Sequence, residues 1–213
     1  MVNKIITLIT FLGLTLALSA CGMSSVSGEA ARMITGQVAD YDGPAGVLEA
    51  TTGVVSLPEA GTGSIEADGT FKFELNESPT GFFPSPVVPP GCSEVSVSGD
   101  RAKVLNVVQL SVVSDGRIAG TLSQSRDDSE SNKSLPLPDV LVSRAYVDRD
   151  VTAKGTCSFS FLETKIISTY NVSYKQGWNT ILTETTFSAD GLTANSKITS
   201  ATASDIKTTE WSY

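Results

Sequence analysis

The chain contains no histidine. It therefore lacks both the commonest general base near neutral pH and the commonest side-chain ligand of transition metals. Lys and Arg number 15 against 23 Asp and Glu, for a net charge of −8. Such a balance is a poor match for nucleic acid or for an anionic bilayer surface, both of which select basic patches. Cysteines are three in 213 residues. The one long apolar run, Ile5 to Leu18, is too short to span a bilayer comfortably. Also missing are a G-x-S-x-G nucleophile elbow, a Walker loop, an H-E-x-x-H pair and a dinucleotide fingerprint. A single S-x-x-K, Ser204 to Lys207, is what chance supplies in a chain with this many Ser and Lys residues, and its partner motifs are absent. Carboxylate pairs of the glycosidase kind stay open, because their members need be close only in space.

What is present begins at the N-terminus. Lys4 is followed by the apolar run and by Leu18-Ser19-Ala20-Cys21, the layout of a cleaved export signal ending in small residues. The box resembles the bacterial lipoprotein pattern, in which the cysteine is acylated and becomes residue one. That resemblance implies removal of 1–20 and attachment of Cys21 to a membrane through two or three acyl chains of the palmitate kind. Each buried methylene contributes about 0.8 kcal/mol, so attachment by several chains lasts where that of one chain is reversible. Gly22, not the Asp that retains such proteins at an inner membrane, follows Cys21. An outer-membrane or cell-surface location in the envelope is therefore expected. The alternative is an ordinary secreted protein with a chance cysteine at the cleavage site.

Removing 1–20 takes away one charged residue, Lys4, and leaves 193 residues of net charge −9, ample for a real core. With Cys21 lipidated, Cys92 and Cys157 remain in a compartment that allows oxidation. Two cysteines alone make a poor metal site, so a disulfide is expected in preference to two buried thiols. Closing its loop of about 65 residues contributes roughly 4 kcal/mol in the chain-entropy account.

Residues 21–32 are small and polar and read as a flexible tether. From 33 to 77, short β-favouring runs (Ile34–Ala39, Val47–Ala50, Val54–Leu57, Thr70–Leu75) are separated by glycine-rich turns, and Phe71, Phe73 and Leu75 alternate with polar residues. Thr35-Gly36-Gln37-Val38, Gly43-Pro44-Ala45-Gly46-Val47 and Asp68-Gly69-Thr70-Phe71-Lys72-Phe73 resemble the start of carboxypeptidase-regulatory-like β-sandwich repeats, which implies a non-catalytic module. The pattern departs from them after Leu75, where a link over 78–91 carries five prolines and Phe82 and Phe83. Proline prevents ladder pairing there, so a connection lying against the body is expected, ahead of a recognition peptide.

From 92 to 213 the chain is strand-like throughout. Runs at Glu94–Ser98, Lys103–Val113, Arg117–Ser123, Val140–Val147, Val151–Leu162, Lys165–Lys175, Trp178–Phe187, Leu192–Ala201 and Lys207–Tyr213 are punctuated by Asp115-Gly116, Gln176-Gly177 and Asp190-Gly191 turns. Cys157, Phe159 and Phe161 share the face expected to be buried. Asp127, Ser129 and Ser131 mimic the start of a calcium loop, but Asn132 stands where Gly is needed and Pro138 where a bidentate Glu is needed. A solvated loop is the expectation. Asp148 and Asp150 flank Arg149 in a turn and read as solubilising charges before they read as an acid–base pair. Trp178 and Trp211 read as core or sheet-covering aromatics.

The stretches Asp148 to Val151, Gly155 to Cys157, Tyr170 to Val172 and Lys175 to Asn179, with the lipobox and Asp68-Gly69-Thr70-Phe71, resemble a group of envelope lipoproteins common in deinococci. The resemblance implies an envelope location and no particular activity, with Lys175 to Asn179 a hairpin kept for folding. The fold expected is all-β, a mainly antiparallel sandwich or barrel, as one domain or two. The function expected is a non-enzymatic binding or structural role without cofactor or metal, its partners the membrane through Cys21 and either envelope proteins or a small apolar ligand. The alternatives are a barrel carrying an apolar small molecule and a carboxylate-based hydrolase.

Overall fold

Residues that alternate apolar and polar side chains become strands because one face of each is buried. The computed structural model describes residues 24–53, 55–80, 85–89, 92–98, 102–127, 138–161 and 163–213. Cys21, Phe82, Phe83 and the loop from Asp128 to Leu137, which includes most of the calcium-like motif, lie outside them. Among the described residues the chain forms α1 (Glu29–Arg32), β1 (Met33–Gln37), β2 (Gly46–Thr51), β3 (Ser56–Leu57), a 3-10 turn (Pro58–Ala60), β4 (Gly61–Ile65), β5 (Thr70–Leu75), β6 (Ser85–Pro86) and β7 (Ser96–Val97). It continues with β8 (Lys103–Val107), β9 (Gln109–Ser114), β10 (Arg117–Arg126), β11 (Val140–Val147), β12 (Val151–Phe161), β13 (Thr164–Tyr174), β14 (Gly177–Phe187), β15 (Thr193–Ser200), α2 (Ala203–Lys207) and β16 (Glu210–Ser212). The protein is all-β and mostly antiparallel, with one parallel pair, β13 and β15, among the named strands.

Two parts can be followed in the hydrogen-bonded ladder. In the first, pairing runs β1–β5–β4–β2–β9–β10, and β16 then pairs with β10. A bridge from Trp211 of β16 to Val38, just past β1, brings the pairing back to its start. The ring is barrel-like, and Ile34, Leu48, Ile65, Phe71, Phe73, Leu75, Leu110, Val112 and Leu122 fill it. In β5 the expected alternation is complete, with Phe71, Phe73 and Leu75 buried and Thr70, Lys72 and Glu74 exposed.

Glycine content hides β4 from a sequence reading, because Gly61 and Gly63 look like turn residues. They sit instead on the inner face opposite Leu75 and Phe73. A Cβ on Gly63 would meet the Phe73 side chain at 2.7 Å, so absence of a side chain makes the room that the ring occupies.

The second part runs β7–β12–β13–β15–β14–β11, with β8 and then β6 beyond β11. Two stretches hand the chain between the parts. The run Lys103 to Val113, expected as one strand, divides at Val108: β8 pairs with β11, while β9 pairs with β2 and β10. Likewise β10 pairs with β9 in its first half and with β11 in its second. The N-terminal segment 33–77 therefore shares its ladder with residues 109–126, across the proline-rich link.

Three further expectations are corrected. The tether begins, from Ser24, as a docked segment: Val26 N–H donates to Ala201 O and Val26 O accepts from Thr180 N–H, both at 2.9 Å, and Ala31 is fully buried. Backbone bonding, which composition does not reveal, holds it. The Gln176-Gly177 turn joins β13 and β14, but these do not pair as a hairpin, because β15 lies between them. The Asn179 amide closes the turn by bonding Lys175 N–H at 2.8 Å and Lys175 O at 2.7 Å. Finally, Lys207–Tyr213 was expected as a terminal strand, yet Lys207 ends α2, whose capping box joins Thr202 and Asp205. The Ser204 and Lys207 of the S-x-x-K sequence both lie in this helix, where Ser204 Oγ is 2.8 Å from Thr202 Oγ1.

Candidate functional site

Period-two alternation puts one set of side chains from five neighbouring strands on a common face of the second part. Leu141 and Ser143 of β11 stand opposite Thr183 and Ile181 of β14, Thr183 stands opposite Ile198 of β15, and Ile198 stands opposite Tyr170 of β13. Asn106 of β8 faces Ala145 further along β11. Together with Tyr174, Val108, Val87 and Pro89, these residues line a cleft of about 470 Å³. That volume lies within the range of small-molecule sites, roughly 300–1,000 Å³.

Two described segments, 85–89 and 92–97, together called the strap, lie against this face from its two sheet edges. The first starts at β6, which pairs with β8, and the second ends at β7, which pairs with β12. In the first segment Val87 and Val88 pack onto the buried clusters. Cys92 is bonded to Cys157 of β12, so the expected disulfide fastens the strap at its far end. Gly155 lets the strap lie close to β12: a Cβ there would sit 2.9 Å from Val95 Cα, and the residue's φ of +136° disfavours other side chains.

The chemistry of the cleft is neutral. Among the described residues its polar groups come from Asn106, Ser143, Thr183 and two tyrosines, and no carboxylate or ammonium is among them. Burial pushes the Tyr174 phenol up to about 12, with the Tyr170 phenol adding to the shift, and burial raises Tyr170 as well. Both hydroxyls therefore keep their protons at any physiological pH. Such a lining suits an apolar body carrying a hydroxyl or carbonyl, because each buried polar group needs a partner.

The Asp148-Arg149-Asp150 turn lies elsewhere and has structural bonds. Asp148 accepts from the Arg149 guanidinium at 3.0 and 3.2 Å and from Lys103 N–H at 3.0 Å. Asp150 accepts from Gln176 N–H at 2.8 Å and pairs with Lys175 Nζ at 2.9 Å. These bonds hold both carboxyls below the usual range, led by Arg149 at Asp148 and by the Gln176 N–H at Asp150. The direction is opposite to the raised carboxyl that a general acid needs.

Asp68 and Asp190 are lowered too, the first mainly by the Thr70 N–H and the second mainly by the Ser188 hydroxyl. Near pH 3 the folded protein therefore binds fewer protons than the unfolded chain, whose Asp residues titrate at about 3.9. The resulting stability is fully present above that value and is lost as pH falls through the lower folded values. The double variant Asp148→Asn, Asp150→Asn is expected to flatten the acid limb of the urea midpoint plotted against pH. An unchanged limb excludes the pair as contributors.

Phe159 and Phe161 were expected on the buried face with Cys157, yet they are 43% and 55% exposed. They lie near the end of the β12–β13 ladder, where Phe161 pairs with Thr164 beyond the start of β15 at Thr193. Trp178 is 1% exposed, and Trp211 packs edge-on against Phe71 at 4.9 Å. Sequence reading found the shared face of Tyr170, Val172 and Tyr174 but not the cleft. The signal available was the set of small residues, Ser143 and Thr183, at inward positions where a filled core has larger ones. Among the described residues no three Cys, Asp or Glu side chains gather as a metal site. Comparison with protein-family models, curated proteins and solved structures finds no match to this chain.

Proposed function

We propose that this protein is a lipid-anchored envelope component that holds a small, mainly apolar molecule in the strap-covered cleft and does not transform it. The observation that carries the reading is the 470 Å³ cleft with its neutral, tyrosine-bearing lining. A carrier site of this kind is built from packed strand faces with few polar groups. The carboxylate-based hydrolase is disfavoured by the bonds that hold Asp148 and Asp150 below the usual carboxyl range, opposite to what a general acid needs.

Anchoring at Cys21 rests on the lipobox. Ser24 follows Cys21 by three residues, about 10 Å of extended chain at most, and the segment from Ser24 on is bonded to the body. An acylated Cys21 therefore seats that end of the body on the membrane. Phe159 and Phe161 lie toward the opposite end of β13, because β15 runs parallel to β13 and ends beside the docked segment.

The test uses full-length protein and its Cys21→Ser variant, which is expected to move from the membrane fraction to the soluble one. Soluble protein is then titrated with Nile red, an uncharged apolar dye, and inspected by native mass spectrometry for a retained small molecule. One saturable dye site is expected, abolished by Ser143→Phe, which places a ring in the cleft, with the thermal midpoint shifted by only a few degrees. Undiminished dye binding by a folded Ser143→Phe protein rejects the cleft as the site.

A further inference from the structure

Three polar side chains of the cleft stand on one line across the sheet. Thr183 of β14 pairs with Leu141 of β11, and Ser143 lies two residues further along β11. Two residues beyond Ser143, Ala145 pairs with Asn106 of β8. Each step is a diagonal between neighbouring strands, about 7–8 Å. Thr183, Ser143 and Asn106 therefore form a row about 15 Å long that runs obliquely over three strands. All three line the cleft. Ile181, opposite Ser143, and Ile198, opposite Thr183, flank the row on one side, and Leu141 flanks it on the other.

The fold makes no use of these groups. None of the three side chains hydrogen-bonds another described residue. Polar neighbours are committed by contrast: Thr185 Oγ1 lies 3.2 Å from Ser196 Oγ, and the Asn179 amide closes its turn. Ser143 and Thr183 are half-buried, and Asn106 is exposed. A hydrocarbon laid over the row strips water from three donor and acceptor groups and gives them no partner. A carboxylate brings a charge into the cleft, and no cation is among the described residues that line it.

We infer that the cleft selects an elongated neutral molecule with hydrogen-bonding groups at separate points along one edge, in preference to a hydrocarbon, a fatty acid or a lipid with one polar end. This selectivity rests on the carrier reading and adds to it the class of ligand taken. The Ser143 and Thr183 hydroxyls and the Asn106 amide each donate or accept, so hydroxyl and carbonyl groups of the ligand both find partners along the row. Ile181, Ile198 and Leu141 pack against its apolar body.

The test is displacement of Nile red from full-length Cys21→Ser protein by three probes of one chain length: a terminal diol whose hydroxyls lie about 15 Å apart, matched to the row, the mono-alcohol, and the diacid as its dianion. Apolar burial alone ranks the mono-alcohol above the diol, because a second hydroxyl costs transfer energy. The expected result is that the diol competes at least as well as the mono-alcohol and that the diacid does not compete. Thr183→Val and Asn106→Leu, which remove opposite ends of the row, are each expected to lower the diol-to-mono-alcohol affinity ratio about tenfold, the worth of one hydrogen bond. The mono-alcohol still reaches the end that remains, so the ratio separates loss of the row from loss of the cleft. A mono-alcohol that displaces the dye better than the diol, a ratio unchanged in both variants, or a diacid that competes as well as the diol overturns the inference and leaves the carrier reading in place. Absence of a saturable dye site, or a site that Ser143→Phe does not affect, rejects the carrier reading and this inference with it.

Discussion

Truncation of Trp178 to Ala is expected to lower the unfolding free energy by about 3–5 kcal/mol, the range for removing a large buried aromatic side chain. The residue belongs by backbone to β14, in the second part of the fold, yet its indole lies in the core of the barrel-like ring. Its Nε1–H donates to Asn76 O at 2.7 Å, and Tyr146 packs edge-on at 5.5 Å. Its carbonyl also accepts from Gly28 N–H at 2.8 Å, in the docked N-terminal segment. Truncation thus leaves a cavity at the junction and a carbonyl without its donor. Trp178→Phe separates these effects: it keeps most of the volume and loses the hydrogen bond, with an expected cost of about 1–3 kcal/mol. Equilibrium urea unfolding of both variants measures the difference. A loss below about 1 kcal/mol in Trp178→Ala refutes the view that the indole ties the two parts together.

The second large effect is expected from the disulfide. Replacing Cys92 and Cys157 together with Ala opens a loop spanning 65 residues in sequence separation. The chain-entropy account assigns such a closure about 4 kcal/mol. The double replacement is the appropriate variant because it leaves no stray thiol. Cys157 is 5% exposed and packs with Val95, Ala153 and Tyr170, so part of the measured loss comes from packing. Beyond stability, the bridge fastens the strap over the cleft, and Nile red is expected to bind more weakly to the folded double variant. Loss of stability with unchanged dye affinity shows that the strap does not shape the site. Unchanged stability contradicts the entropic contribution itself.

The difference between what was legible and what was not follows from the range over which each feature is determined. The alternation of β5 and the Asp68-Gly69, Asp115-Gly116 and Asp190-Gly191 turns are local, and each appears where neighbouring residues place it. The Cys92–Cys157 bridge was legible by count, since the expected lipobox takes Cys21 and leaves two cysteines to pair. Asp148 and Asp150 were visible as residues, but their bonds to Lys103 N–H and Gln176 N–H join segments far apart in sequence. The capping box Thr202 to Asp205 was a local signal that the β-rich surroundings masked.

By itself, the sequence determined the strand character of the chain, three of the four glycine hairpins expected and the pairing of its last two cysteines, because these depend on side-chain period, backbone freedom and residue count. Tertiary structure alone decided the rest. Gly61 and Gly63 become strand residues because Phe73 needs their space. The chain divides at Val108 because β11 draws one half and β2 the other. β15 enters between β13 and β14, the polar segment from Ser24 is bonded down, and a cleft and the buried Arg144 face opposite sides of one strand. Each of these is set by a partner distant in sequence, and no local pattern names that partner.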